Sequence, residues 1–164
     1  MSVYNFTVYD VLKHKAYCYL WSENDAKKGS NEVASCLLHF IELKIAEGIS
    51  KFSSYSDNCG GQNRNRFVFA MFVFVCAKYN IDIKHTFLEA GHTQNESDSV
   101  HSMIERYSSK RKIFTLDEWR EIIKAAKETG EKYDVIDVTY NMIYNFKDLA
   151  GKQNWNKTVV TKKN

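Results

Sequence analysis

The 164-residue chain contains no proline, which is unusual for a complete domain. It also lacks a long polar tail, and its last residues, "NKTVVTKKN", read as a segment cut mid-stream. Both features lead us to expect a fragment of a larger protein. Its four cysteines (Cys18, Cys36, Cys59 and Cys76) form no CxxC pair, so neither a zinc ribbon nor a redox motif is indicated. Three of them fall in apolar-patterned segments, as expected of reduced, buried thiols. The start has no charged-then-apolar signal pattern. The longest apolar run, Phe67 to Ala77, has eleven residues, whereas a membrane-spanning helix needs about 20. A non-secreted, nuclear or cytoplasmic protein with no membrane partner is therefore expected. There is no GxGxxG or GxxxxGK[ST] loop, which disfavours a small-molecule phosphate-binding domain. Nor is there an internal repeat or a low-complexity linker. The net charge of +3 permits nucleic-acid binding without arguing for it.

Hydrophobic residues make up 44% of the chain, enough for one ordinary domain over residues 1–164 with a real core. "SVYNFTVYDV" alternates and is rich in aromatic and β-branched residues, so it reads as a strand, and Ala16 to Trp21 as a second, hairpin-paired with it. Ser30 is a plausible cap for a helix to about Ala46, closed by Gly48. "ISKFSSYS" reads as a third strand, Gln62 to Tyr79 as a helix apolar all round and therefore buried, and Ile81 to Ala90 as a fourth strand. Asp98 to about Lys110 reads as a helix. In "TLDEWREIIKAAKETG", Thr115 and Glu118 form a capping box and Gly130 ends the helix. "YDVIDV" reads as a strand, and the remainder as a further strand pair. Strands joined through helices imply a mixed α/β sheet flanked by helices.

Candidate chemistry gathers in "YSDNCGGQNRN", residues 55–65. Asp57 ends a strand, where α/β sheets carry their sites. Gly60 and Gly61 let the backbone turn tightly. Asn58, Gln62, Asn63 and Asn65 add amides, and Arg64 and Arg66 add charge at a helix start that favours anions. The plain alternative is a βα turn in which Asp57 or Asn58 caps the helix.

A second stretch, "FLEAGHTQNESDSVHSMIER", passes a Gly-His-Thr turn and opens a helix on which Asp98, His101 and Glu105 share one face. His92 lies in the preceding loop. The plain reading makes Asp98 a first-turn acid favoured by the helix dipole, Glu105 a solvated charge and His101 a packed side chain. Together with Asp57, the pattern suits a hard divalent ion, Mg²⁺ or Mn²⁺, shared with substrate phosphates. A zinc site from His92, His101 and an acid matches no standard spacing. Lys27, Lys28, Arg64, Arg66, Lys110, Arg111 and Lys112 could meet backbone phosphates, or could be ordinary solvated charge.

These two stretches, with "YNFTVYD", "CYLW" and "KGSNEVASCL" upstream, resemble a large family of transposase-like proteins abundant in insects and other animals. The resemblance covers roughly residues 3–146. It implies an RNase H-like fold of the DDE/D type acting on DNA phosphodiesters through Mg²⁺-bound carboxylates, in a protein that can form homo-oligomers. By position, Asp57 would be the second acid of the triad and Asp98 the third, with Glu105 its rival. His92, His101, Asn58 and Gln62 would support them, and Arg64, Arg66, Lys110 and Arg111 would contact nucleic acid. An RNase H-like sheet opens with three antiparallel strands, the first bearing an acid. Only two precede the Ser30 helix here, so the fold is expected to lack its first strand, with Asp10 the nearest substitute acid. The alternative is a non-enzymatic relic or domesticated domain that binds nucleic acid or a protein.

Overall fold

The structure is a computed structural model that describes residues 2–57, 65–88 and 95–152. Among the described residues, five strands and five α-helices follow the order β1 (Val3–Asp10), β2 (Lys15–Ser22), α1 (Ser30–Ala46), β3 (Lys51–Ser56), α2 (Arg66–Tyr79), β4 (Asp82–Phe87), α3 (Glu96–Ser108), α4 (Leu116–Ala126), β5 (Asp134–Asp137) and α5 (Phe146–Lys152), with a 3₁₀ turn at Tyr140–Met142. The class is mixed α/β. By internal contacts the chain forms two compact units, one of Met1–Lys28 with Gln94–Tyr140, the other of Gly29–Thr93 with Asn141–Asn164.

The first unit is built on a three-stranded sheet ordered β1-β2-β5. β1 and β2 pair antiparallel from Val3↔Ser22 to Asp10↔Lys15, the expected hairpin. Its turn is held by Asp10, whose Oδ1 accepts from the amides of Leu12 and Lys13, each at 3.1 Å, as short Asx side chains do in turns. β5 adds parallel to β2. β2 is the central strand and is buried from Ala16 to Ser22, which is why its sequence is a continuous apolar and aromatic run rather than an alternation. Ala16, Cys18 and Leu20 on one face of β2 pack with Val100 and Ile104 of α3, Ile123 and Ala126 of α4, and Tyr133.

The expected capping box at Thr115 is present. The Thr115 hydroxyl accepts from the Glu118 amide at 3.1 Å, and Glu118 accepts in return from the Thr115 amide at 3.0 Å. The helix stops at Ala126, however, four residues before Gly130.

The second unit carries a two-stranded parallel sheet, β3 with β4, in register from Lys51↔Asp82 to Ser56↔Phe87. Phe52, Ser54 and Ser56 lie half-buried on one face of β3, while Lys51, Ser53 and Tyr55 on the other are exposed. α1 contacts α2, and α5 contacts both helices. α1 begins at Ser30, but its cap residue is Gly29 and no side chain caps it. Gly48 ends it as expected, at φ +89°, a left-handed conformation that costs glycine nothing.

Further expectations need correction. The expected single mixed sheet is, among the described residues, two sheets, β1-β2-β5 and β3-β4. α2 is not buried all round. Val68, Ala70, Met71 and Val75 are buried, whereas Phe69 and Val73 are 52% and 43% exposed, because β4, α1 and α5 meet the helix over only part of its circumference. The strand pair expected after β5 is instead the 3₁₀ turn and α5 as far as Lys152. Asn145 nucleates α5, its side-chain oxygen accepting from the Asp148 amide at 3.1 Å, and a capped start outweighs the strand preference of the neighbouring aromatics. α3 opens at Glu96 rather than Asp98, with Asn95 as its cap. α2 opens at Arg66 behind an extended Asn65 cap rather than at Gln62, and β4 ends at Phe87 rather than at Ala90; Gln62 and Ala90 themselves lie outside the described residues.

Candidate functional site

Asp57 directly follows β3, at the carboxyl end of the parallel pair. Leu88 follows β4 at the same end, its amide donating to the Ser56 carbonyl at 2.8 Å. The last described residues before the two motif stretches, Asp57 and Leu88, therefore lie at the same end of the pair. Asn58, Gln62, Arg64 and His92 lie outside the described residues. Ahead of α2, the side-chain oxygen of Asn65 accepts from the amides of Phe67 and Val68 at 2.9 and 3.0 Å. Thus Asn65 caps α2, a role that sequence reasoning offered to Asp57 or Asn58. Arg66, half-buried, stacks its guanidinium over the Phe67 ring at 4.9 Å.

Asp98, His101 and Glu105 all lie on α3, in the other unit. Asp98 is the third residue of the helix and closes a capping box. Its Oδ2 accepts from the Asn95 amide at 3.0 Å, while Asn95 accepts from the Asp98 amide at 3.2 Å. Replacing Asn95 by alanine should cost about 1 kcal/mol, as loss of a cap usually does, and urea titration reads this as a lower midpoint. Glu105 is exposed. His101 is half-buried, and burial holds its imidazole below the ordinary histidine range, while the carboxylates of Asp98 and Glu105 pull it back up. The three side chains thus share a helix face, as their spacing requires. Lys110 and Arg111 are exposed just beyond α3. Arg111 folds back on the helix end, its Nε donating to the Tyr107 carbonyl at 3.1 Å and its guanidinium 4.0 Å from the Tyr107 ring centre.

Sequence reasoning missed a polar cluster on the inner face of the parallel pair. His85 of β4 lies between two serines of β3, with Nδ1 2.7 Å from Ser54 Oγ and Nε2 3.0 Å from Ser56 Oγ. The rings of Phe72 and Phe87 flank it, their centres 5.1 and 4.7 Å away. Burial lowers its pKa. Only the parallel register, which sets Ser54 beside His85, reveals the cluster.

Histidines depressed on folding bind fewer protons in the native than in the unfolded chain between their folded pKa and 6.5. Stability should therefore fall as pH drops through that window and level off below the folded values. Urea midpoints taken from pH 7.5 to 5 should decline, and His85→Gln should flatten the decline.

Cys18 and Cys36 are buried, and burial raises the Cys18 thiol to about 11, so these two thiols are inert packing groups. Cys76 is half-buried, and Cys59 lies outside the described residues. No helix among the described residues is long and apolar enough to cross a membrane. No group of three or more His, Cys, Asp or Glu side chains that could hold a metal ion occurs among them either.

A family model described as a domain of unknown function (DUF7869) matches residues 5–162. The chain belongs to this family. The match takes in both units and both motif stretches, so the parallel pair ending at Asp57 and the α3 face of Asp98, His101 and Glu105 are parts of one family domain. Comparison with curated proteins and with solved structures gave no match.

Proposed function

We propose that the domain is a transposase-derived, RNase H-like core that acts on DNA phosphodiesters with Mg²⁺ or Mn²⁺. The observation that carries this reading is the parallel pairing of β3 and β4, in register to Ser56↔Phe87. That pairing sets Asp57 and Leu88, the last described residues before the two motif stretches, at the carboxyl end of the sheet, where α/β enzymes build their sites. The element order supports the fold. An antiparallel pair, a helix, a strand, a helix and a second strand parallel to the last is the succession an RNase H-like sheet uses after its opening strand.

Asp57 is the carboxylate assigned to the metal, and Asp98, with Glu105 as its rival, is separately assigned as an acid of the reaction. Because Asp57 and Asp98 belong to separate units, each is assigned and tested by its own variant. Mg²⁺ is commonly held by one or two protein carboxylates, with water and substrate phosphate completing the shell. Aspartate oxygens fit that habit, whereas a structural zinc takes mostly cysteine sulfur and histidine nitrogen. When bound, such an ion neutralises charge on the phosphate and lowers the pKa of the attacking water. His92, His101, Asn58 and Gln62 are assigned supporting roles, and Arg64, Arg66, Lys110 and Arg111 contacts to the DNA backbone.

Nicking of supercoiled DNA, dependent on Mg²⁺ and abolished by chelation, tests the reading. A second reading is favoured by the engagement of Asp98 in the capping box of α3, since an acid serving a helix start needs no metal. On that reading the domain binds nucleic acid or a protein without cleaving DNA. Retarded DNA migration with no nicking at any Mg²⁺ or Mn²⁺ concentration would select it. Nuclear residence and self-association belong to the same proposal, and sedimentation with and without DNA reads the latter.

A further inference from the structure

We propose that His85 is a positioning residue that orients the backbone at Asp57 through Ser56. The inference deepens the reading of Asp57 as the acting carboxylate and rests on it for its functional meaning. Its geometry lies wholly within the parallel-sheet unit.

The argument is one of hydrogen-bond direction. Ser56 Oγ lies 3.0 Å from the Asp57 carbonyl oxygen and 3.0 Å from His85 Nε2. A carbonyl can only accept, so the single Ser56 hydroxyl proton is directed at Asp57. Ser56 Oγ must then accept from His85, which fixes the proton on Nε2. The Nε2–H tautomer leaves Nδ1 as an acceptor, and Ser54, at 2.7 Å, donates to it. Three hydrogen bonds therefore run one way, from Ser54 through His85 and Ser56 to the Asp57 carbonyl. The flanking rings of Phe72 and Phe87 hold the imidazole plane, and its burial favours the neutral form that the chain of bonds requires. With its proton given to the Asp57 carbonyl and a lone pair accepting from His85, Ser56 cannot rotate freely, and the peptide leaving β3 is fixed where the candidate carboxylate begins. A merely satisfied polar group between strand and helix would need no such directionality.

The direction gives a test. In His85→Gln the amide nitrogen reaches roughly the Nε2 position and still donates to Ser56. In His85→Asn the shorter amide reaches only the Nδ1 level and serves Ser54 alone. The readout is the Asp57 carbonyl ¹³C chemical shift in the metal-free, DNA-free protein, which moves upfield when that carbonyl loses a hydrogen bond. His85→Asn and Ser56→Ala are expected to shift it upfield together, with His85→Gln close to wild type and Ser54→Ala showing the smaller change. Equal shifts in the Asn and Gln variants, or no shift in Ser56→Ala, overturn the proposal. If the His85 variants do not fold, the ring ¹⁵N shifts of His85 in the unmutated protein decide the matter: a neutral Nε2–H tautomer supports the proposal and an Nδ1–H tautomer overturns it. No metal or DNA is present, so failure here leaves the nuclease reading to its own assay, and failure of nicking leaves this network standing as a conformational lock.

Discussion

Asp57→Asn should abolish metal-dependent nicking while leaving the fold intact. A bound divalent ion supplies several kcal/mol of charge stabilisation to a phosphoryl transition state. At 1.36 kcal/mol per tenfold in rate, losing it corresponds to a fall of about 10²–10³-fold. Asparagine keeps the size of aspartate and the main-chain carbonyl to which Ser56 donates, so that hydrogen bond is retained at the end of β3 and the thermal midpoint should move little. The expected pattern is thus a nearly unchanged midpoint with nicking at background. Nicking at the wild-type rate would remove Asp57 from the chemistry, and a lowered midpoint would return it to the plain reading of a turn residue. Asp98→Asn differs because its carboxylate also closes a capping box. A loss of activity there counts as chemistry only to the extent that it exceeds the loss seen in Asn95→Ala, which removes the cap and spares the acid.

What the sequence made legible was local. The β1–β2 hairpin, the Thr115 capping box and the Gly48 helix end each rest on residues within a few positions of one another, where pattern and chemistry decide together. Asp98 was legible as a first-turn acid on the helix face it shares with His101 and Glu105. The helix nevertheless starts two residues earlier, because the cap is an asparagine and the box partner an aspartate, a quieter pair than the usual serine or threonine with glutamate. The Ser54–His85–Ser56 cluster was not legible, since it depends on which residue of β4 faces which residue of β3. That register is fixed across α2 and two loops, and no local rule specifies it. The segment before α5 misled for a related reason. Its tyrosines and phenylalanine favour a strand, and a single cap at Asn145 decided for a helix.

Ile123→Ala should produce the largest loss of stability. Ile123 is fully buried at 0% exposure and sits on α4 in the cluster that joins α4 to Cys18 and Leu20 of β2 and to Val100 and Ile104 of α3. Truncation to alanine removes the burial energy of three carbons and leaves a cavity walled by a central strand and two helices. Substitutions of this kind cost about 2–5 kcal/mol, and a site held between a sheet and two capped helices collapses poorly, which favours the upper part of that range. With domain stabilities of about 5–15 kcal/mol, the variant should lose a large share of its total. Urea unfolding should show a much lower midpoint with an unchanged slope. Ile123→Val, which deletes one methylene, should cost about 0.5–1.5 kcal/mol. The substitution acts on the α3–α4–β2 packing and changes none of the side chains assigned to the metal or to DNA. Nicking by Ile123→Val, measured well below its melting point, should therefore match wild type.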